Sequence, residues 1–557
     1  MIIQSLIKRG EYRDSVALMS MANKLAKLPG IVDVSVVMGT PANKSILQEA
    51  GLLNAEAQTA SPNDLLIVVR ADDATLAADA LNQAEQMLSQ RSITSSADRA
   101  ARPQSLRSAI RSAPDANVAV ISVPGQYAAA QAWDALRGGL NVLLFSDHVS
   151  VEDEIALKTY ARDHGLLLMG PGAGTAILNG VGLGFANAVP RGNIGIVAAA
   201  GTGLQEVSTL IAKAGAGITQ AIGVGGRDVS EAVGGIMLLE GLKALQADTD
   251  TRVIVVVSKL PSQVVAEKIF AQVNCSDKPT VLALMTNYKL QITNAQSPIS
   301  NLQSLASDLR EAAAMAVALS RGENVDTARK KLAAEDKLIE RKARVLRRKL
   351  NSRASRKYLR GLYSGGTLCE ETMRIWQESL GAVWSNAPLD PKFKLSFRAE
   401  RRESVSNTEN KISRRQRTPP RNDNANWGIF PSKQHTVIDL GEEEFTLGRP
   451  HPMIDNTLRA QRILQEARDS RVAAIVLDVV IGYGAHPDPA SELAPAIIKA
   501  KQIAARKNRE LIFIASVTGT ESDPQKLSRQ TNVLRKAGAM VMDSNAAAAK
   551  FASAMVR

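Results

Sequence analysis

Three strand-like runs in this sequence turn through glycine straight into a stretch with helical spacing: Gly201-Thr202-Gly203 after IVAAA, Gly223–Gly226 after QAI, and Gly365-Gly366-Thr367 after LYS. Glycine lets a backbone approach an anion closely, and the start of the following helix offers free N–H groups with partial positive charge. Thr202, Ser364 and Thr367 add hydroxyl donors. Such turns suit recognition of a phosphate, a carboxylate or a developing oxyanion, and the plain alternative is a tight strand-to-helix turn without a ligand. Two of them share a pattern, Gly201-Thr202-Gly203-Leu204 and Gly366-Thr367-Leu368, which points to an internal duplication of one anion-binding unit.

The five histidines are His148, His164, His435, His451 and His486. His148 sits at a strand end and His164 at a helix end, where capping is the ordinary role. His451 (GRPHPMID) and His486 (GYGAHPDP) lie on loops of the last domain, near strand ends, and are the candidate catalytic residues; the competing reading is a solvated loop histidine. Cys369 follows the Gly365–Thr367 turn, where a helix start lowers a thiol pKa, unless the side chain faces the core. Asp439, Asp455 and Asp478 stand at or near strand ends and suit magnesium, with Asp455 equally an N-cap and Asp488 equally turn chemistry. No G-x-G-x-x-G fingerprint or GxxxxGK[ST] phosphate loop occurs.

These residues sit in a chain of 557 residues, enough for three or four domains. Apolar residues at 45% and charged residues at 22% fit a globular protein and exclude a fibrous or wholly disordered one. Aromatics at 4% leave few platforms for stacking bases. Two cysteines, Cys275 and Cys369, cannot form a disulfide framework or a structural zinc site. No apolar run reaches membrane-spanning length and MIIQSLIKRGEYRD is no secretory signal, so a cytoplasmic protein is expected. The net charge of +13 is local: residues 321–360 hold fifteen Lys/Arg against five Asp/Glu, and residues 391–435 eleven against four, leaving the rest slightly acidic. Neither nucleic acid nor membrane is an expected partner.

Periodicity then places the elements. Residues 1–90 read as repeated βαβ-type units of a small α+β domain, and 91–114 as a linker. Residues 115–190 alternate short apolar strands and helices, the pattern of a parallel Rossmann-like sheet. Residues 191–320 repeat that alternation as a flavodoxin-like domain. The basic stretch 321–356 is a long helix, with Val325, Leu332, Ile339 and Leu346 every seven residues; a connecting helix packed on one face competes with a partner- or polyanion-binding helix. Residues 357–557 form a second flavodoxin-like domain, interrupted at about 392–434 by a segment without periodicity that carries Pro419-Pro420 and many basic residues. That segment reads as an insertion in a surface loop.

The order of GPGAG at 170–174, IGIVAAAGTGLQEV at 194–207 and AIGVGGRD at 221–228 resembles the α subunit of succinyl-CoA ligases. The stretch from TVIDLG through IVLDVVIGYG to the end resembles the ligase domain of their β subunit, and the fusion, with SGGTLCEE at 364–371, resembles the FdrA family of acyl-CoA-synthetase-like proteins. The resemblance implies a CoA-binding Rossmann-like domain at 115–190 followed by two ligase-type domains. It implies cofactor-binding glycines at Gly170, Gly172, Gly223, Gly225 and Gly226, and an anion site at Gly201, Thr202, Gly203, Ser364, Gly365, Gly366 and Thr367. CoA, an acyl phosphate or carbamoyl phosphate is the implied ligand, magnesium a candidate ion, and ATP a substrate only with a partner that supplies its site. Three departures stand out: MTNYKLQITNAQSPIS, where those ligases carry the phosphorylated histidine, contains none; Gly172 replaces the usual asparagine; and Arg227 precedes the acidic residue of the third turn.

Family resemblance implies a subunit handling acyl phosphate, carboxylate or carbamoyl groups in purine-ureide (allantoin) catabolism, as in oxamate carbamoyl transfer, with other subunits of a multi-component enzyme as partners. Direct transfer between an acyl donor and phosphate needs no phosphoenzyme, which suits the missing histidine. The competing class is a non-catalytic scaffold or regulatory subunit that binds CoA or a nucleotide.

Overall fold

A computed structural model describes residues 2–11, 18, 21–22, 24–26, 28–40, 43–44, 47–48, 50–90, 103, 105–284, 305–350, 357–395, 431–446 and 450–557. The chain divides into two units, Met1–Gln104 with Glu403–Trp427, and Ser105–Arg402 with Gly428–Arg557. Glu403–Trp427 lies outside the described residues.

The first unit is built on three antiparallel strands, β1 (Ile2–Lys8), β2 (Ile31–Met38) and β3 (Leu65–Ala71), in the order β1-β3-β2. The continuous apolar run LLIVVRA makes β3 the centre, because alternate residues must be covered on both faces. Leu65, Ile67 and Val69 pack with Leu18, Leu25 and helix α1 (Ala74–Gln90), while Leu66 and Val68 pack with Leu47, Leu52 and Ala57. The α+β reading stands, but β1 and β2 are not neighbours as a plain βαβ repeat requires; β3 lies between them.

The second unit holds three sheets. Parallel strands β4 (Val118–Ile121), β5 (Asn141–Leu144) and β6 (Leu168–Met169) form the first, covered by α2 (Gly125–Arg137) and α3 (Val151–Asp163). The next sheet runs β12-β11-β9-β10-β7-β8, from β7 (Thr175–Leu178), β8 (Val181–Gly184), β9 (Arg191–Ala199), β10 (Ile218–Gly223), β11 (Val253–Ser258) and β12 (Thr280–Leu284). The β7–β8 hairpin pairs antiparallel with β10, so the segment before residue 190 feeds this sheet rather than closing the first one. The last sheet runs β14-β15-β13-β16-β17-β18, from β13 (Tyr358–Tyr363), β14 (Val383–Trp384), β15 (His435–Asp439), β16 (Val472–Val480), β17 (Ile512–Thr518) and β18 (Ala539–Met542). Counted from β9 the parallel order is 2-1-3-4, and counted from β13, with the two-residue edge β14 set aside, it is 2-1-3-4-5. Both are the flavodoxin-like order, which opens a crevice at the carboxyl ends of the first strand and its neighbours.

Helix α4 (Gly201–Lys213) follows β9 and helix α5 (Gly366–Leu380) follows β13, so the two glycine turns occupy the same topological place in two sheets. One apolar core runs through both domains, containing Leu204, Val207, Leu368, Met373, Trp376 and Phe551. The basic helix, Val325–Leu350, lays Val325, Ile339 and Leu346 on that core and buries Ala343. Its Asp336 pairs with Arg310 and, at 2.8 Å, with Lys550, which also reaches Asp308 at 2.7 Å. These contacts are those of a connecting helix packed on one face.

Two expected limits change. Leu106–Ser112, inside the expected linker, is a helix opened by a capping box between Ser105 and Ser108. The ends of the expected 392–434 insertion are packed rather than loose: Leu395 is buried, and Phe393 and Lys433 both contact the Trp384 ring, at 5.6 Å and 4.3 Å. The rest of that segment, 396–430, and the histidine-free stretch at 285–300 lie outside the described residues.

Candidate active site

The two glycine turns meet face to face. A β-carbon on Gly365 would stand 2.7 Å from Thr202 Cγ2, and one on Gly203 would stand 2.8 Å from Thr367 Cγ2. Such separations are closed to any larger residue, so glycine is what lets the two helix starts approach. Thr202 and Thr367 are the second residues of α4 and α5, and the contact is therefore reciprocal. Neither helix has a side-chain cap, whereas Ser150, Ser262, Asp308 and Ser544 cap other helices of this unit. Uncapped first-turn N–H groups from two helices thus converge with two threonine hydroxyls that have no hydrogen-bond partner among the described residues.

A second reciprocity fixes the pair. Glu206 and Glu371 each lie five residues beyond the first helical glycine and are fully buried. Glu206 accepts from the N–H of Asn545 at 3.0 Å, the start of the C-terminal helix of the last domain. Glu371 accepts from the N–H of Leu309 at 2.8 Å, the start of the helix Leu309–Ser320 packed on the other domain. Each domain's glycine-turn helix therefore caps a helix of the other.

The Ser364–Gly365 turn itself is held by Asp478. The Ser364 N–H, Ser364 Oγ and Gly365 N–H all donate to its carboxylate at 2.9 Å, and the buried Arg459 pairs with it at 2.9 Å. This corrects the expectation that Ser364 and Gly365 offer donors to a ligand: their donors are spent on Asp478, and their part is to shape the turn. Gly201, Thr202, Gly203, Gly366 and Thr367 keep theirs.

Beside Gly366 the site becomes ionisable. A β-carbon there would lie 2.7 Å from Asp439 Oδ2 and 3.4 Å from Lys259 Nζ. Asp439 is buried; its Oδ1 accepts from the Gly441 N–H at 2.9 Å, and Oδ2 has no partner among the described residues. Burial, with Glu442 nearby, pushes the Asp439 pKa up to about 7, against the pull of Lys259. Burial works against the Lys259 ammonium, but Asp439, Glu370 and Glu442 outweigh it and raise its pKa. Lys259 Nζ makes no hydrogen bond or ion pair among the described residues. A neutralisable carboxyl and a free ammonium next to an uncapped helix start can bind an oxyanion and exchange a proton with it.

The histidines separate. His451 Nε2 stands 2.8 Å from where a β-carbon of Gly441 would sit, beside Asp439, which brings this ring to the site. His486 is tied elsewhere: its Nδ1 accepts from the Asp488 N–H at 2.9 Å and its Nε2 faces Glu492 at 3.3 Å. Its own N–H donates to Met453 O at 2.8 Å, so it braces the loop that carries His451. His486 as a catalytic residue is thus corrected to a loop fastener. Cys369 is buried, and burial with Asp439 and Asp478 close by raises its thiol pKa far above the usual range, the opposite of a reactive thiolate. Asp455 accepts from the Thr457 N–H at 2.7 Å, two residues on, as in an Asx turn, while the N-cap position of that helix is Asn456. With Asp478 committed to the turn, the three aspartates do not gather, and among the described residues no group of three His, Cys, Asp or Glu side chains is placed to hold a metal.

The cofactor glycines form a separate corner. Gly225, at φ +85°, packs against Pro171 O, where a β-carbon would stand at 2.5 Å. Gly170 and Gly223 press equally closely on the carbonyls of Leu144 and Thr175, so three of the five are explained by backbone packing. Gly172 and Gly226 face open space, as does Gly201. The acidic residue of the third turn is structural: Asp228 accepts from the N–H groups of Met237 and Leu238 and pairs with the buried Lys158 at 2.7 Å. A backbone-lined recess of this kind fits the phosphates of a CoA-type ligand.

Lys259, Gly441 and Arg459 escaped sequence reasoning. Lys259 had a readable signal, since VIVVVSK puts a lysine at the carboxyl end of a parallel strand, where ligands bind. The other two had none, because their role depends on contacts across the fold.

Comparison with known proteins finds three family matches, the CoA-binding one falling on residues 190–283 rather than on the 115–190 expected for that domain. Residues 362–555 match a family model described as CoA-ligase, residues 190–283 one described as CoA binding domain, and residues 1–104 one described as AllF, heavy metal-associated domain. The chain is 40% identical over 549 residues to the uncharacterized protein YahF of Escherichia coli, covering 98% of this chain and 97% of that one. It is 29% identical over 160 residues to the succinate–CoA ligase [ADP-forming] subunit alpha 2 of Archaeoglobus fulgidus, 28% of this chain and 54% of that subunit. Among solved structures, the dinucleotide forming acetyl-coenzyme A synthetase 1 of Ca. Korarchaeum cryptofilum (apo form) is similar over 79% of this chain and 82% of that one, at 14% identity and a TM-score of 0.30.

The last of those family models raises a question of donors. Residues 1–104 contain no cysteine and no histidine, so this domain lacks the thiolate and imidazole ligands that most thiophilic metal sites use. No helix of the described residues is long and apolar enough to cross a membrane.

Proposed function

We propose that this chain, which belongs to the FdrA family of acyl-CoA-synthetase-like proteins, is a subunit that binds a small acyl phosphate or carbamoyl phosphate between its two glycine-turn helices and transfers the acyl or carbamoyl group. The observation that carries the reading is the reciprocal meeting of two uncapped helix starts, Gly365 on Thr202 and Gly203 on Thr367, with Lys259 and Asp439 at the rim. Two helix dipoles and free N–H groups stabilise a phosphate or a tetrahedral oxyanion, and Asp439, with a pKa near 7, gives and takes a proton at working pH. The matches to CoA-ligase and CoA binding models support CoA as the acyl acceptor or donor, held at Gly172, Gly201 and Gly226. CoA would supply the thiol; the chain's own residues bind and orient the phosphate and manage the proton.

The match of residues 1–104 to the AllF model supports the carbamoyl variant in purine-ureide catabolism, with partner subunits completing the enzyme. A scaffold that only binds CoA gains no specific support from the ionisable rim.

The experiment is titration calorimetry of the purified chain with acetyl phosphate and carbamoyl phosphate, paired with Gly366→Val. A branched side chain at 366 must displace Asp439 Oδ2 and block the helix start, so binding should fall at least tenfold while the unfolding midpoint stays near that of the parent chain. Equal affinity in the variant would assign the turn a purely structural role.

A further inference from the structure

The site holds a histidine whose protonation is set by its own loop. The Met453 N–H donates to His451 Nδ1 at 3.2 Å, so that nitrogen keeps its lone pair inward and the ring proton of the neutral form resides on Nε2. Burial, with Arg459 close by, lowers the His451 pKa to about 4, which keeps the ring neutral. The loop is itself braced: the His451 carbonyl accepts from Ile454 and Asp455, and His486 donates to Met453 O. Phe185 covers the ring, centroids 5.9 Å apart. Nε2–H has no partner among the described residues, and neither has Asp439 Oδ2, Lys259 Nζ, Thr202 Oγ1 or Thr367 Oγ1. Asp439, Thr202 and Thr367 are 4%, 7% and 2% exposed, so these are polar groups withdrawn from bulk water around one corner. Gly441 and Gly366 are the two positions whose missing side chains leave that corner open, since a β-carbon at either would collide with His451 or Asp439.

We propose that His451 is a neutral hydrogen-bond donor of this site, its Nε2–H donating to an oxygen of a small acyl phosphate or carbamoyl phosphate seated between Gly366 and Gly441, and that it does not accept the phosphoryl group. The proposal rests on the anion-binding reading of the two helix starts. Attack on phosphorus needs the lone pair of Nε2, hence a proton on Nδ1, and that proton would point at the Met453 N–H. A neutral imidazole donor polarises a carbonyl or a phosphoryl oxygen without giving up a proton, and adds no charge to a rim already carrying Lys259.

The test uses the full chain with histidine labelled with nitrogen-15. The His451 signal, assigned by its loss in His451→Gln, should show the neutral Nε2–H form at pH 7. Titration with acetyl phosphate should move it. Calorimetry with acetyl phosphate and with inorganic phosphate should show His451→Leu about tenfold to a hundredfold weaker, the scale of one lost hydrogen bond to an anion. His451→Gln, which keeps an N–H near the same place, should stay within about threefold. An Nδ1–H ring, acid-labile radioactive phosphate trapped on His451 from labelled acetyl phosphate, or parent-like binding by His451→Leu would each overturn the donor role while leaving the helix-start site standing. Failure of the parent chain to bind either phosphate would overturn both.

Discussion

At Asp439 the physics of burial has a measurable consequence. Its pKa is raised to about 7, first by burial and then by Glu442, so the folded chain holds a proton there that an unfolded chain has released above about pH 4. The folded state binds more protons in that window, and stability from this group is therefore lost as pH rises from about 4 to about 7. Asp439→Asn removes that loss. Urea unfolding at pH 5 and pH 8 should show the variant gaining on the parent by a few kcal/mol, on the order set by the shift, as pH rises. His451 acts in the opposite sense, its lowered pKa of about 4 costing stability as pH falls from about 6.5 to about 4. Parallel profiles for the parent and Asp439→Asn would show that Asp439 is ionised in the fold throughout.

Between elements, the crossed caps of Glu206 and Glu371 are what hold the two glycine-turn helices at their meeting point. Removing one leaves a buried helix start without its acceptor, and Glu371 also binds the Asn545 side-chain amide at 2.7 Å. Glu371→Ala and Glu206→Ala should each cost about 2–4 kcal/mol, and each should weaken phosphate binding although neither side chain lies at the rim. A double variant should lose less than the sum, because the first loss already loosens the shared contact. Additive losses with unchanged phosphate binding would separate the caps from the site. The insertion belongs to this scale too. Because Phe393 and Lys433 rest on the same Trp384 ring, the segment between them leaves and returns at one place. Replacing 396–430 by a short glycine-serine link should therefore keep solubility and the unfolding midpoint, whereas extending the deletion to Leu395 should not.

Across the whole molecule, two units carry different chemistry. The larger unit brings Lys259, Asp439 and His451 beside the Gly366 and Gly441 positions, where its two glycine turns meet. The smaller unit resembles a heavy metal-associated domain in its family match, yet its residues 1–104 hold neither cysteine nor histidine, and methionine is their only sulfur ligand. Full-length protein dialysed against equimolar zinc or copper(I) should retain no stoichiometric metal attributable to residues 1–104, as read by elemental analysis of the full chain against a chain lacking them. One equivalent lost with that truncation would show that carboxylate and thioether donors suffice.

Period-2 apolar runs, glycine punctuation and the repeated GTGL and GTL spacing were enough to read from sequence the alternating architecture, the two equivalent domains and the location of the helix starts. Local spacing encodes these directly, because strand and helix periods and the φ freedom of glycine act within a few residues. Sequence could not decide which donors remain free. Ser364 and Gly365 lose theirs to Asp478, more than a hundred residues away, and His486 resembles His451 as a loop histidine until Glu492 and Asp488 are seen to occupy it. Cys369 looks activated by its helix start, and only its burial reverses the sign. Lys259 reaches Gly366 only because β11 and β13 end at the same crevice. Hydrogen-bond occupancy, desolvation and long-range charge are properties of positions in space, so the fold was legible in the chain and the candidate site became so only through contacts between two domains distant in sequence.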